Sequence, residues 1–266
     1  MEKSNLVICC AGDQSLHHRW SGAGRQFDLL LVYYGDTEGR WQDSADYYLA
    51  ARGPKWHLVS HAAQVLSKEI SLYDSIWIPD DDIDSDTTNV NLLLRRFDHY
   101  HLALAQPALT EGSYISHHIT RRRKRSLLRY TNFVEIMAPI MRHDVFARLS
   151  EYFTLNKSGW GLDWLWASRV EREGLGGIAI IDSCAVTHTR PINPTGGFYA
   201  AMNIDPYREY ARLMEEFDLS SEYRVYQTLY RAFGREFSIG AAYPLVRLLK
   251  KARAGVRSLL GGSSPA

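Results

Sequence analysis

The chain predicts an α/β fold, with a mixed, mainly parallel sheet flanked by helices and a C-terminal helical appendage. Three observations predict it. Short apolar runs at residues 6–10, 27–34, 75–78 and 177–182 have the length and the β-branched or aromatic content of buried strands. Segments of helical periodicity lie between them, and alternating strand and helix favours parallel pairing. The first two strands each run into Gly-Asp, at Gly12-Asp13 and Gly35-Asp36, so small residues and carboxylates gather at one end of the sheet.

The 266 residues suffice for one large α/β domain or a domain with an appendage. We expect a main unit over 1–204, with halves 1–106 and 107–204, followed by helices and a flexible tail over 205–266. The net charge of +1 says little by itself. Three cysteines, two of them adjacent at Cys9 and Cys10, give neither a disulfide framework nor zinc spacing, which suits a reducing cytoplasm. The polar start before residue 6 lacks the apolar core of a secretory signal, and no stretch reaches the length of a membrane span.

The elements follow in order. The first strand delivers Ala11-Gly12-Asp13 to the sheet edge, a common nucleotide position, although a plain turn reads the same residues as well. Gly53-Pro54 turns into a helix near 57–70. Lys55 and Trp56 stand at its start, as phosphate and base contacts or as a surface residue and a core plug. Residues 87–100 carry Val90, Leu93, Leu94 and Phe97 on one helical face, and 101–105 form a further strand. A basic run, Arg121 to Arg125 with Arg129 beyond it, lacks the interleaved aromatics of a nucleic-acid surface and suits an anionic acceptor or lipid headgroup. We expect a strand at 132–138, a helix at 142–152 and a helix from Asp163 to Glu173. An extended segment at 185–190 carries His188. Helices are expected at 207–217 and 222–233, and a last one carries an apolar stripe from Leu245 to Leu260 opposite Arg247, Lys250, Lys251, Arg253 and Arg257. That stripe suits packing on the domain or an anionic membrane surface.

The chemistry concentrates in residues 75–84, where an apolar run stops at Pro79 and four carboxylates follow within five positions. In an extended segment Asp80 and Asp82 project to one side and Asp81 away from it. Same-side carboxylates repel unless a cation or sugar hydroxyls intervene, and hard oxygen ligands suit Mg²⁺ or Mn²⁺. A solvated turn with a helix cap at Asp84, Ser85 or Asp86 accounts for the same acids. Two calcium-loop registers fail for want of the glycine and the closing Glu. In Gly159-Trp160-Gly161-Leu162-Asp163-Trp164, Asp163 opens a helix, as a cap or as a general base in an apolar pocket.

In this order the chain resembles glycosyltransferases of the GT-A fold. The set KW (55–56), IWIPDDDI (76–83), GWGLDW (159–164) and IIDSCAVTHTRP (180–191) is similar to a glycosyltransferase-like family of uncharacterised function. The resemblance covers roughly residues 6–199. It implies a nucleotide-sugar donor, with a UDP-sugar the first choice, and Mn²⁺ or Mg²⁺ on Asp80, Asp82 and His188. It implies donor contacts from Ala11, Gly12, Asp13, Lys55, Asp80 and Asp81, and Asp163 as the base of an inverting transfer. The acceptor would be a glycan or a lipid-linked glycan in cell-surface polysaccharide or lipopolysaccharide assembly. The protein would sit on the inner face of an anionic membrane through its last helix, with no nucleic-acid partner. The rival readings are a haloacid-dehalogenase-type phosphatase using Asp80 and Asp82, which would want them on the first strand, and a non-catalytic nucleotide- or carbohydrate-binding module.

Overall fold

The computed structural model describes residues 4–232 and 235–240. Its first half is a parallel block built from β1 (Asn5–Ala11), β2 (Asp28–Tyr33), β3 (Tyr47–Ala50) and β4 (Ser75–Trp77). β1 lies between β2 and β4, and β3 extends the edge beyond β2. Helices α1 (Lys55–Val65) and α2 (Ser67–Ile70) connect β3 to β4. The acidic loop follows, then the two-residue β5 (Ile83–Asp84) and α3 (Thr87–His99). The second half is mixed: β6 (Leu102–Leu109), β7 (Ser126–Thr131), β8 (Ile140–Arg142), α4 (His143–Leu149), α5 (Leu162–Glu173) and β9 (Gly177–His188). After β9 come α6 (Gly197–Ala201), α7 (Pro206–Glu216), β10 (Val225–Ala232) and β11 (Arg235–Gly240). The sheet order is β11-β10-β7-β9-β6-β8-β4-β1-β2-β3.

Strand alternation explains the three layers. On β1, Leu6, Ile8 and Cys10 join one core while Val7, Cys9 and Ala11 join the other. Trp56 and Leu58 of α1, Val145 and Phe146 of α4 and Trp166 of α5 pack the first face. Val90, Leu93, Leu94 and Phe97 of α3 pack the second. Strands buried on both faces need continuous apolar runs, and that is why residues 6–10 and 27–34 are legible as strands.

Three expectations need correction. Residues 222–233 form no helix among the described residues. β10 instead pairs antiparallel with β7 and with β11, because Val225, Tyr226, Thr228 and Tyr230 suit a ladder and β7 offers a free edge. The sheet therefore continues past residue 204. Residues 132–138 form no strand: Phe133, Val134, Met137 and Ala138 are buried, but the backbone there bonds to side chains and to the acidic loop. Arg129 leaves the basic patch entirely, since it is buried and makes a two-oxygen pair with Asp182 at 2.8 and 3.0 Å. Arg121 to Arg125 are exposed as expected. The basic helix expected beyond residue 243 lies outside the described residues. No described helix is long and apolar enough to cross a membrane.

Candidate functional site

The site forms where β4 ends. Pro79 cannot continue the ladder, and the chain folds back so that Ile78 and Asp80 donate their N–H groups to the carbonyls of Pro139 and Met137. β5 then pairs antiparallel with the end of β9, setting Ile83 against His188 and Asp84 against Thr187. This register brings one ligand atom each from Asp80, Asp82 and His188 within 4.8 Å of one another. Asp82 is held from the β9 side: its carbonyl accepts from Thr189 Oγ1 at 2.8 Å, and its Oδ2 from the Arg190 N–H at 3.2 Å.

The donor set fits a divalent cation. His188 Nδ1 donates to the Tyr114 carbonyl at 2.9 Å, which fixes the ring and directs Nε2 to Asp82 Oδ2, 3.2 Å away. Burial opposes charge on His188, but the hydrogen bond and charge of Asp82, the Tyr114 carbonyl and Asp80 outweigh it and raise the group to about 9. A bound cation would take the place of that proton. Two carboxylates and one imidazole suit Mn²⁺ or Mg²⁺, the imidazole favouring Mn²⁺.

Asp81 turns the other way, as the alternation predicts. Its Oδ2 accepts from the Gly12 N–H at 2.9 Å and from Tyr34 Oη at 2.8 Å, and its Oδ1 from Arg190 Nη1 at 3.0 Å. Arg190 also donates to the Gln14 carbonyl. Asp81 thus ties the loop after β1, the acidic loop and the segment after β9 into one unit. Lys55 has a comparable internal duty. Its ammonium lies 2.5 Å from Asp80 Oδ1 and within 3.1 Å of the carbonyls of Ile78, Ile136 and Met137. That cation offsets part of the repulsion between Asp80 and Asp82.

These groups line a cavity of about 520 Å³, whose wall includes Lys55, Asp80, Asp81, Asp82, Glu135, Trp160, His188, Arg190 and Tyr199. Of the expected residues, the structure brings Lys55, Asp80, Asp81, Asp82 and His188 to this wall. Ala11, Gly12, Asp13 and Asp163 are not on it. The Tyr34 ring lies 2.9 Å from where a Cβ on Gly12 would stand, and Asp13 accepts from Tyr33 Oη and the Asp36 N–H. The hydrogen bond from Tyr33, with the Asp36 amide, lowers Asp13 to about 2. Asp80 and Asp82 close β4, whereas β1 ends at Ala11, so the arrangement that a dehalogenase-type phosphatase wants is not the one built.

Glu135 on the wall and Asp163 behind it form a second acid group. Gly159 and Gly161 adopt positive φ, +78° and +91°, and a Cβ on them would meet Trp56 at 2.7 Å and Leu213 at 3.0 Å. The two turns start α5 at Leu162, bury Asp163 and leave Trp160 on the cavity, with its Nε1 donating to Tyr199 Oη at 3.1 Å. Asp163 Oδ1 accepts from the Trp164 N–H, and its Oδ2 lies 3.9 Å from His117 Nε2. Glu135 Oε1 lies 3.9 Å from the same nitrogen. Burial raises Asp163 to about 7. Burial and the charge of Asp163 raise Glu135 to about 8, while burial lowers His117 to about 4. Glu135, His117 and Arg190 are absent from the set implied by sequence. The signal for Glu135 was a lone acid within the apolar run 132–138.

No family profile matches the chain, and no curated protein does. Among solved structures, the chain is similar to one described as the crystal structure of GalNAc-T7 with UDP, GalNAc and Mn²⁺. That match has a TM-score of 0.57 and 11% identity, covering 80% of this chain and 48% of that one. A putative nucleotide-diphospho-sugar transferase from Desulfovibrio desulfuricans G20 superposes with a TM-score of 0.42 and 12% identity, over 81% of this chain and 98% of that one. The chain spans about half the length of the first of these proteins. At this identity the likeness to the first structure shows the fold alone, a GT-A-like one.

Proposed function

We propose that this chain transfers a sugar from a nucleotide-sugar donor to a hydroxyl of a glycan or lipid-linked acceptor. The observation that carries the reading is the meeting of Asp80, Asp82 and His188 on one cavity wall at the carboxyl end of β4, in a fold of this kind. The similar structure described with UDP, GalNAc and Mn²⁺ supports a UDP-sugar and Mn²⁺.

In this reading Asp80, Asp82 and His188 hold the cation, which supplies positive charge against the charge that gathers on a departing diphosphate. Arg190, with its guanidinium on the same wall, adds a fixed positive group. Trp160 offers an apolar face on which a sugar ring can stack. Asp163 and Glu135 form the buried acid group from which a base for the acceptor hydroxyl comes, and Asp163 is the member that the resemblance names. A base on the acceptor side corresponds to an inverting transfer. Cell-surface glycan assembly at the inner membrane face belongs to the same proposal, with the exposed Arg121 to Arg125 and the basic tail as anion-facing elements.

The test is calorimetric titration with a panel of nucleoside diphosphates, with and without Mn²⁺, repeated on Asp82→Ala. Mn²⁺-dependent binding of one nucleotide, lost in the variant, is expected. Absence of binding by every nucleotide removes the basis for the proposal.

A further inference from the structure

Asp163 and Glu135 are both buried, yet their oxygens are used differently. Asp163 Oδ1 accepts from the Trp164 N–H at 2.9 Å and its Oδ2 faces His117. Glu135 reaches the cavity wall. Its Oε1 faces His117, and its Oε2 has no hydrogen-bond partner although it is enclosed. A buried carboxyl oxygen without a partner costs free energy unless a ligand completes it. The backbone leaves the group little freedom to move away, because the Glu135 N–H donates to Gln106 Oε1 at 2.6 Å. The terminal torsion of a Glu is soft and roughly two-fold, so the carboxyl can present either oxygen to the cavity.

We propose that Glu135, and not Asp163, meets the acceptor hydroxyl and takes its proton. Asp163 and His117 are positioning residues that hold this carboxyl in place. The inference rests on the transferase reading and names the group that reading leaves open. In the step, the acceptor O–H bond breaks and its proton moves to Glu135. The freed oxygen pair forms the bond to the anomeric carbon, and the bond from that carbon to the diphosphate breaks, its electron pair leaving with the diphosphate. Glu135 then releases the proton to solvent. His117 Nδ1 pairs with Tyr223 Oη at 2.5 Å, so the ring is held from its far side and keeps Nε2 toward both acids. The groups whose charges act on Glu135 are Asp163 and His188, then Asp80 and Lys55, with His117 beside it.

The experiment compares wild type, Glu135→Gln, Glu135→Asp and Asp163→Asn. UDP binding with Mn²⁺ is measured by calorimetry. Turnover of UDP-glucose, UDP-galactose and UDP-N-acetylglucosamine is measured with water and with simple glycosides as acceptors. We expect Glu135→Gln to bind UDP with Mn²⁺ as wild type does while turnover falls about 100-fold or more, the scale of a lost general base. Glu135→Asp restores part of the rate. Asp163→Asn keeps more activity than Glu135→Gln and moves the acid limb of its kcat/KM profile to lower pH, because one charge that raises Glu135 is gone. Near-wild-type turnover of Glu135→Gln beside an inactive Asp163→Asn overturns the inference and leaves the transferase reading intact. Bound UDP with Mn²⁺ but no turnover of any donor by wild type also overturns it. Failure of wild type to bind UDP or any other nucleoside diphosphate sinks the transferase reading itself.

Discussion

The site carries two acid clusters of similar composition in different electrostatic surroundings, one on the cavity wall and one that runs behind it. Asp80 and Asp82 stand with the Lys55 ammonium and a protonated His188 among their neighbours, and Asp81 with the Arg190 guanidinium. Asp163 and Glu135 have His117 beside them, which burial keeps neutral at pH 7, while His188 and Lys55 act on Glu135 from further off. In the first cluster burial raises Asp80 above the ordinary carboxylate value, Lys55 pulls it back down and Asp82 pushes it up, so a cation placed there would add to the pull of Lys55. The second holds protons to near-neutral pH, where a carboxyl can both accept and return one. Residue type therefore says little here: burial raises Asp80, Asp163 and Glu135 alike, and the cations within reach decide how much of that is offset. This is the general way in which one cavity runs a charge-stabilising and a proton-transferring task side by side.

The contrast can be broken at its strongest point first. Asp82→Ala should lower Mn²⁺-supported nucleotide binding by about 100-fold or more, since two of three ligand positions cannot close the site. Calorimetry reads this directly, and unchanged affinity would place the cation elsewhere. Lys55→Met should destabilise the fold by about 2 kcal/mol, because it strands Asp80 and three carbonyls; the figure sits below that of a fully buried pair because Asp80 is partly exposed. Urea unfolding gives the value. If Lys55→Met unfolds at the wild-type midpoint, the Lys55 cation does not offset the repulsion within the first cluster.

A smaller effect tests the second cluster. Asp163 and Glu135 bind protons more tightly folded than unfolded, at about 7 and about 8 against ordinary values of 3.8 and 4.5. Between those limits the folded state holds protons that the unfolded chain has released, so stability falls as pH rises. Melting temperature should be lower at pH 8 than at pH 5, and Asp163→Asn should flatten the slope, by at most about 1.4 kcal/mol per pH unit. His188 also loses its contribution as pH rises from 6.5 through about 9, but it is common to both proteins and cancels in their difference. Parallel curves for the two proteins would deny the second cluster its proton. Smallest is Gly161→Ala, expected to cost about 1–2 kcal/mol, since φ of +91° and Leu213 at 3.0 Å both oppose a Cβ. Loss of stability with no change in transfer would show that the turn before Asp163 serves the fold alone.

The first cluster was far more legible in sequence than the second. An apolar run stopped by Pro79 and followed by alternating acids announces its own geometry, and the opposed directions of Asp81 and its two neighbours follow from period-two alternation. His188 is legible as a strand-end histidine, a structural one or a further metal ligand for the acidic loop, and nothing local decides between the two. Glu135 stayed hidden for a physical reason. Its apolar neighbours read as a strand, while the actual backbone is spent on Lys55, Gln106 and the acidic loop, none of them near in sequence. β5 and β8 are two and three residues long, too short for any periodicity. Residues 225–232 mix apolar and polar positions that fit a helix or a strand face, and the open edge of β7 decides between them. Gly12 and Asp13 form a turn after β1 whose groups are engaged by Asp81, Tyr33 and Asp36.

The pairing of β5 with β9 has a consequence for how the protein comes together. Asp82 and Arg190 stand 108 positions apart, and nothing but the completed sheet brings that end of β9 to the acidic loop. A free acidic peptide offers two carboxylates and no imidazole. The chelating set is consequently a product of long-range folding, the slowest kind of contact to form. Tight Mn²⁺ uptake during refolding would then lag behind helix formation, making the ion a reporter of the moment β9 meets the acidic loop.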